Sequence, residues 1–340
     1  MIQKGFHDKH YDSIQALRGV TALLVVLEHV RFLNCGAFGV DIFFCISGFM
    51  IMFATHKSTD KFLIKRLIRI VPLYYLMTFG TFLLLLLFPA MFQQTVAEPE
   101  YLIKSLLFIP FDIGGGIIQP LVRIGWTINC EMLFYVLFMI AFRINHKYRA
   151  NICAALLILL VGFGQMYGES SVILKFYGDP VMLEFILGMF AYYVAWAIHT
   201  FYDKGVLKPI VSKMALVVVA VLLMGLIITK PSVNILGARR FLVWGIPAMV
   251  IVLCVFVAGL RLQMPQCLVK LGNISFSLYL IHYYPVMFLD RMGFDFSQCT
   301  PRAIVGVGVC LALCICAAYV VWYVVEKKLC GFLLGKLKKV

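Results

Sequence analysis

Apolar stretches of about twenty residues recur along the whole chain and are separated by short polar segments. A helix of about twenty residues crosses the hydrocarbon core of a bilayer, so each stretch predicts one transmembrane helix. Only 14% of the residues are charged, well below the roughly 25% of soluble domains. We therefore expect an all-α polytopic membrane protein with about ten transmembrane helices, at about 14–33, 37–55, 70–90, 121–142, 151–168, 180–199, 210–229, 241–260, 272–290 and 302–325.

Positive charge is distributed unevenly between the segments that connect these helices. With the N-terminus on the inner side, about two thirds of the Lys and Arg residues fall in inner segments. The positive-inside rule then places both termini in the cytoplasm, in agreement with an even number of spans. The net charge of +14 follows this topology, so we expect membrane lipids and no nucleic acid as partners. No linker or low-complexity tract interrupts the chain, which predicts a single membrane-embedded domain over residues 1–340.

The eleven cysteines contain no CxxC pair and lie mostly inside the predicted spans. We expect reduced thiols that pack as small apolar side chains, and no metal site. Cys35 and Cys299 fall near outer loops, where a disulfide between them is the open alternative. The longest loop, about 91–120, faces outside and holds a short amphipathic piece at 101–108; a long ordered loop of this kind often covers a binding site.

Two ionisable residues, Arg18 and His29, interrupt the first apolar stretch. An arginine at the bilayer centre costs about 2.5–3.5 kcal/mol, so such residues indicate a function by default. Eleven residues at about 100° each place both side chains on one helix face, with a rise of about 16 Å between them. His29 is a candidate general base or acyl acceptor, and Arg18 is a candidate to bind phosphate or carbonyl oxygens. The simpler alternative is a snorkelling arginine and a packed histidine.

Polar residues in the second and fourth spans form two further candidate groups. Asp41 begins the second span at a depth close to that of His29, and the small pair Ser47-Gly48 lets another helix or a ligand approach closely. A plain helix-packing notch is the alternative for that pair. Glu131 needs a partner inside the membrane, with His29 or Arg123 available; beside His29 it would orient the imidazole as the acid of a catalytic triad does. A structural ion pair is its alternative.

Two more groups lie beside the third span and within the ninth. Arg66 and Arg69, together with Lys65, form a basic cluster at the inner membrane surface, typical of a phosphate clamp for a nucleotide-like donor. Positive-inside topology or contact with lipid headgroups explains the same cluster. Ser275, Tyr279 and His282 follow i, i+4, i+7 spacing and share a helix face, where a hydrogen-bonded helix interface is the alternative to a functional site.

Together and in this order, these five groups resemble the acyltransferase type 3 family of integral-membrane O-acyltransferases. Each motif alone is weak, but five in register, from residue 14 to about 326, are a specific signal. The matching residues are Arg18 and His29; Gly39, Asp41, Phe43, Phe44, Ser47, Gly48 and Phe49; Arg66, Arg69, Ile70 and Pro72; Trp126, Thr127, Glu131, Phe134 and Tyr135; and Ser275, Tyr279, Leu280 and His282.

The resemblance implies transfer of an acyl group, usually acetyl, from cytoplasmic acyl-CoA to a hydroxyl of a surface polysaccharide or its lipid-linked precursor in a bacterial plasma membrane. Arg18 and His29 are then the functional pair. Some members carry an extracytoplasmic SGNH-type domain that completes the transfer, and we find none in these 340 residues. We therefore expect the reaction to be completed by the membrane domain itself, by a separate extracytoplasmic transferase or by polysaccharide-assembly proteins. The expected catalytic residues are His29, Arg18, Glu131 and Asp41; the expected donor-binding residues are Arg18, Arg66 and Arg69; the expected substrate-binding residues are Ser47, Trp126, Tyr279 and His282.

The competing hypothesis is a flippase or transporter of a lipid-linked sugar that uses the same buried charges as a proton relay. Inverted repeats and paired broken helices are typical of such transporters, and the sequence contains neither in evident form. A sensor or scaffold without turnover agrees poorly with the polar groups inside the spans. Acyl transfer is therefore the expected function, either in one step or through an acyl-histidine.

Overall fold

A computed structural model describes residues 6, 11–56, 61–92, 95–229 and 239–337. Across these ranges the chain is helical, and its only strand-like pairing is an isolated antiparallel bridge between Asp112 and Ile118. The all-α fold class is therefore confirmed. The chain ends for which we predicted a cytoplasmic location, residues 1–5 and 338–340, lie outside the described residues.

The helices follow the apolar stretches closely. In chain order they are α1 Asp12–Glu28, α2 Gly39–Ala54, α3 Phe62–Leu87, α4 Pro99–Leu106, α5 Trp126–Ile144, α6 Arg149–Tyr167, α7 Val172–Tyr177, α8 Glu184–Asp203, α9 Pro209–Thr229, α10 Ile246–Gly259, α11 Gln266–Asn273, α12 Ser275–Ile281, α13 Tyr283–Leu289, α14 Pro301–Val321 and α15 Cys330–Leu337. π-helical turns at Phe241–Gly245 and Trp322–Leu329 extend α10 and α14.

Within the described ranges, seven helical stretches are long and apolar enough to cross a membrane. They are Phe62–Leu87, Arg123–Ile144, Arg149–Ser170, Pro180–Asp203, Pro209–Thr229, Phe241–Gly259 and Pro301–Leu337. The other three expected spans are also helical but differ in length or continuity. Helix α1 has 17 residues and contains charged side chains, α2 has 16, and the ninth stretch is divided into α11, α12 and α13.

A proline accounts for one of the breaks in the ninth stretch. Pro285 has no amide hydrogen, so it cannot donate to the carbonyl of Ile281 one turn earlier, and its ring crowds that carbonyl. The helix is interrupted at His282, between α12 and α13. His282 keeps right-handed helical angles (φ −54°, ψ −31°) and lies fully buried at the break.

One compact unit comprises Met1–Ser58 and Leu183–Ile315. In this unit α1 packs against α2, α10, α11 and α12, while α2 packs most extensively against α8. Gly272 at the end of α11 permits the close approach to α1, because an added Cβ would lie 1.9 Å from the carbonyl oxygen of Gln15. The first span and the divided ninth span are therefore in backbone contact.

The second compact unit comprises Thr59–Met182 and Cys316–Val340. The long loop that follows α3 contains α4, and hydrogen bonds hold α4 against α3. Tyr74 and Tyr75 of α3 donate to the carbonyls of Ser105 and Leu106, at 3.2 and 2.9 Å. The predicted amphipathic piece, 101–108, overlaps helix α4, which ends two residues earlier at Leu106. After it, Asp112 accepts hydrogen bonds from two glycine amides, Gly114 and Gly116. Over residues 95–120 the structure thus describes an ordered loop at this position.

None of the eleven cysteines forms a disulfide. Cys35 is half-buried and Cys299 is exposed, and the pairing between them that the sequence left open is not formed. Cys45, Cys130, Cys153, Cys310, Cys314 and Cys330 are buried as small apolar side chains.

Candidate functional site

Helix α1 carries both residues of the first motif. Arg18 lies in the middle of the helix, and His29 follows its last residue with helical angles (φ −82°, ψ −4°). Both side chains are half-buried. The helical path agrees with the predicted shared face and the rise of about 16 Å between the two positions.

Arg18 contacts the divided ninth span. Its Nε donates a hydrogen bond to the Ser275 hydroxyl at 3.2 Å, and one turn earlier Gln15 Nε2 donates to Asn273 Oδ1 at 3.3 Å. Ser275 is fully buried. Since a guanidinium has five N–H donors in a fixed fork, the contact through Nε orients the plane of the other donors.

His29 contacts the same span. Its Nδ1 lies 3.2 Å from Nε2 of His282 and 3.0 Å from the carbonyl oxygen of Val25. Nδ1 of His282 lies 2.7 Å from the carbonyl oxygen of Tyr279. Both members of the first motif therefore pair with members of the fifth: Arg18 with Ser275, and His29 with His282. The sequence predicted His282 as a substrate-binding residue and did not reveal this direct contact, because it joins positions 253 apart.

Aromatic rings surround the histidine pair. The ring of Tyr283 meets that of His29 edge-on at 5.7 Å between centroids, and Phe43 of α2 meets Tyr279 at 5.9 Å. Tyr279 is buried, whereas Tyr283 and Phe43 are half-buried. The predicted substrate-binding residue Tyr279 thus lies in the same cluster as His29.

Asp41 has a partner that the sequence did not identify. Arg240 donates from Nε and Nη2 to the two oxygens of Asp41, at 3.0 and 2.9 Å, and its guanidinium lies 5.1 Å from the ring centroid of Trp244. Asp41 is fully buried and Arg240 is 8% exposed. Our topology placed Arg240 in an outer segment; its place at the edge of an apolar stretch was the available signal for a buried counter-ion.

The Ser47-Gly48 pair lies at the contact between α2 and α8. An added Cβ at Gly48 would lie 2.2 Å from the carbonyl oxygen of Phe185, and one at Gly188 would lie 2.1 Å from that of Cys45. The backbones of the two helices therefore touch through reciprocal glycines. Ser47 itself is half-buried.

The second compact unit brings together three of the other predicted residues. Tyr135 donates a short hydrogen bond to Glu131, one turn earlier on α5. The guanidinium of Arg66 lies 5.6 Å from the centroid of the Tyr135 ring, and Arg69 is within electrostatic reach of the same tyrosine. Tyr135, which belongs to the fourth motif but was not predicted as a site residue, thus links Glu131 to the basic cluster.

The remaining predicted substrate-binding residue is Trp126. It is the first residue of α5 and is half-buried. It precedes Glu131 on the same helix.

Within the described part of the chain, no three His, Cys, Asp or Glu side chains are grouped as a metal site requires.

Comparison with known proteins agrees with these motifs. A family model described as an acyltransferase domain matches residues 11–321. The exopolysaccharide production protein ExoZ of Rhizobium meliloti (strain 1021) is 34% identical over 185 residues, which cover 53% of this chain and 56% of that protein. YrhL of Bacillus subtilis (strain 168), named as a candidate peptidoglycan O-acetyltransferase, is 26% identical over 331 residues, which cover 85% of this chain and 50% of that protein.

The chain spans about half the length of these two curated relatives. No solved structure matches it. The family match covers the five motifs from Arg18 to His282 and nearly all the helices described above. This chain therefore belongs to the acyltransferase type 3 family of integral-membrane O-acyltransferases.

Proposed function

We propose that this protein transfers an acyl group, most readily acetyl, from cytoplasmic acyl-CoA to a hydroxyl of a cell-surface polysaccharide or its lipid-linked precursor. The observation that carries the proposal is the half-buried His29 at the end of an apolar helix, hydrogen-bonded to a second buried histidine. Family membership supports acyl transfer, and the names of the two relatives support a polysaccharide acceptor.

We propose ten membrane spans in a single domain, with both termini cytoplasmic and the protein in a bacterial plasma membrane. The seven long apolar helices support a multi-pass arrangement. Helices α1 and α2 and the group α11 to α13 coincide with the three remaining apolar stretches. The excess of Lys and Arg in the segments assigned to the inside supports the orientation.

His29 is the group proposed to carry the chemistry. As a general base, its imidazole removes the proton of the acceptor hydroxyl while the hydroxyl oxygen attacks the thioester carbonyl; the C–S bond breaks, and the leaving thiolate takes the proton from the imidazolium. As a nucleophile, the imidazole attacks the carbonyl and the C–S bond breaks to release the thiolate. The acceptor hydroxyl then attacks the acyl-imidazole, the C–N bond breaks, and the hydroxyl proton passes through the imidazole to the thiolate. Both routes yield the same ester and free CoA. Asp41 and Glu131 are the other acidic residues that we propose as catalytic.

Arginines are the groups proposed to bind the donor. Arg66 and Arg69 supply positive charge beside Tyr135, and the fork of Arg18 is oriented by Ser275. Guanidinium groups match the paired oxygens of phosphates, so the chemistry of these residues fits the diphosphate and 3′-phosphate of CoA. For the acceptor we propose Ser47, Trp126 and Tyr279, because hydroxyls and aromatic faces suit sugar rings.

The proposal is tested in inside-out membrane vesicles from a deletion strain that carries the wild-type gene or a variant. These vesicles expose the cytoplasmic face and contain the native acceptor, so added radiolabelled acetyl-CoA should label the glycan fraction. His29→Ala should abolish labelling while the protein level is unchanged, and His146→Ala should not. A separate extracytoplasmic transferase or polysaccharide-assembly protein, if required, is present in this membrane.

Two outcomes contradict the proposal. Normal labelling by His29→Ala would remove His29 from the mechanism. Lipid-linked sugar that changes sides without any covalent label would instead support the competing flippase, because a flippase leaves no acylated product. Mass spectrometry of the surface polysaccharide from the deletion strain then identifies the acyl group by the mass that is lost.

A further inference from the structure

The hydrogen bonds of His29 and His282 show which ring nitrogen of each carries the proton. A backbone carbonyl oxygen only accepts, so a ring nitrogen in contact with one must carry the proton. Nδ1 of His282 lies 2.7 Å from the carbonyl oxygen of Tyr279, and Nδ1 is therefore the protonated nitrogen of that ring. In the neutral imidazole the other nitrogen, Nε2, then has a lone pair and accepts.

A second carbonyl gives an independent assignment for His29. Nδ1 of His29 lies 3.0 Å from the carbonyl oxygen of Val25, so Nδ1 carries the proton. The same atom lies 3.2 Å from His282 Nε2. Its one hydrogen is thus shared between two acceptors, the Val25 carbonyl and His282 Nε2. The two assignments agree, since a donor nitrogen of one ring faces an acceptor nitrogen of the other.

The reverse arrangement conflicts with these contacts. If His282 were doubly protonated and donated from Nε2, Nδ1 of His29 would have to accept. That nitrogen would then present a lone pair to the carbonyl oxygen of Val25 at 3.0 Å. Two acceptors at this distance repel each other, so the neutral His282 with Nδ1 protonated is the arrangement that satisfies all three contacts.

We infer that His282 is a positioning residue that holds His29 as its Nδ1–H tautomer and leaves Nε2 of His29 as the nitrogen that takes part in acyl transfer. The inference rests on the proposed function of His29. His282 acts through His29 and not on the substrate, in contrast to the substrate-binding role predicted from the sequence. When Nε2 takes a proton or an acyl group, the positive charge that develops on the ring is stabilised by the acceptor Nε2 of His282.

His282 is suited to this role because its own position is fixed. It is fully buried, its backbone amide donates to Leu278, and the thiol of Cys314 contacts its carbonyl oxygen at 3.8 Å. The Val25 carbonyl belongs to the same helical turn as His29. The contact with His282 ties the His29 ring to the ninth span, and with it to the rest of the site.

The first test is spectroscopic and does not depend on activity. ¹⁵N NMR of histidine-labelled protein in lipid vesicles distinguishes the Nδ1–H and Nε2–H tautomers, and the variant His29→Asn identifies the His29 signals among the seven histidines. We expect His29 of the wild type to be predominantly Nδ1–H. A predominantly Nε2–H signal would overturn the inference. An Nδ1–H signal in a protein that transfers no acyl group would overturn the proposed function and leave the tautomer assignment standing.

The second test separates positioning from folding. His282→Leu removes the acceptor, whereas His282→Gln replaces it with an amide oxygen at a similar distance from the backbone. A hydrogen bond to a charged group is worth about 1.5–3 kcal/mol, so we expect kcat to fall about 10- to 100-fold in the leucine variant, with both KM values unchanged. The glutamine variant should recover most of the loss. His199→Leu, at another buried histidine of the same unit, should leave kcat and the His29 signals unchanged.

Two results would contradict the positioning role. One is a glutamine variant as inactive as the leucine variant although both have wild-type thermal stability. The other is a leucine variant with wild-type kcat. Because the NMR measurement uses the wild-type chain, a leucine variant that fails to fold does not remove the test.

Discussion

The Nε of Arg18 donates a hydrogen bond to the hydroxyl of Ser275, and this contact spans 257 positions of the chain. It ties a charged side chain of α1 to the first residue of α12, which directly follows the break at Ile274. Since Nε is the inner donor of the guanidinium fork, the serine sets the direction of the terminal nitrogens. Ser275 of the ninth span thus orients the guanidinium of Arg18, which belongs to the first span.

We predict that Ser275→Ala raises the KM for acetyl-CoA about 3- to 10-fold and leaves kcat within about twofold of wild type. The variant removes one hydrogen bond, typically worth about 0.5–1.5 kcal/mol, and leaves the arginine in place. Steady-state kinetics in vesicles measures both constants. Ser277→Ala, which changes another buried serine of α12, should leave the donor KM unchanged. An increase in the acceptor KM alone would assign Ser275 to the acceptor.

The Asp41–Arg240 ion pair gives a stability prediction. Removal of one partner from a buried pair typically costs about 3–5 kcal/mol, because the other charge remains without compensation. We therefore expect Asp41→Ala or Arg240→Ala to lower the thermal stability in detergent strongly. The double variant should lose less than the sum of the two single losses. Arg239→Ala alters an exposed neighbouring arginine and should have little effect. Additive losses would show that the two side chains do not stabilise each other.

Much of the fold was predictable because its signals are local. The length of an apolar stretch and its helical period are both properties of the stretch alone, and the ten predicted stretches do coincide with helices. This includes the three that are too short or too interrupted to count as membrane-spanning helices by themselves. The site was predictable only as a set of residues. His29 with His282 and Asp41 with Arg240 are pairs 253 and 199 positions apart, and no local spacing encodes such a contact. Arg240 illustrates the difficulty, since the predicted span began at 241 and left Arg240 in an outer segment.

The basic cluster of the second unit gives a prediction for the donor. We expect Arg66→Gln and Arg69→Gln each to raise the KM for acetyl-CoA about tenfold or more, with a smaller change in the acceptor KM, because a charge-assisted hydrogen bond is worth about 1.5–3 kcal/mol. Raised salt should weaken donor binding to the wild type by screening the same charges. Arg143→Gln removes an exposed arginine in the last turn of α5 and serves as the control for net charge. Unchanged donor KM values in both variants would exclude this cluster as the phosphate site.

The reciprocal glycines between α2 and α8 give the last prediction, which separates packing from ligand binding at the Ser47-Gly48 motif. A methyl group at Gly48 or Gly188 would overlap a backbone carbonyl of the facing helix, so Gly48→Ala and Gly188→Ala must push the helices apart. Overpacking of this kind costs about 1–3 kcal/mol, and we expect lower thermal stability in detergent for each variant. The double variant should lose less stability than the two single variants lose together, because the first methyl group already separates the two helices.

Gly162→Ala is the matched control for this interface. It lies inside α6 with open space around an added Cβ, and alanine is favoured over glycine within a helix by about 0.5–1 kcal/mol, so its stability should be equal or higher. If Gly48→Ala kept wild-type stability but raised the KM for donor or acceptor, the motif would contact a ligand and not only α8. Equal losses of stability and activity in Gly48→Ala and Gly188→Ala would instead assign the motif to helix packing, since Gly188 lies on the facing helix and outside the five motifs.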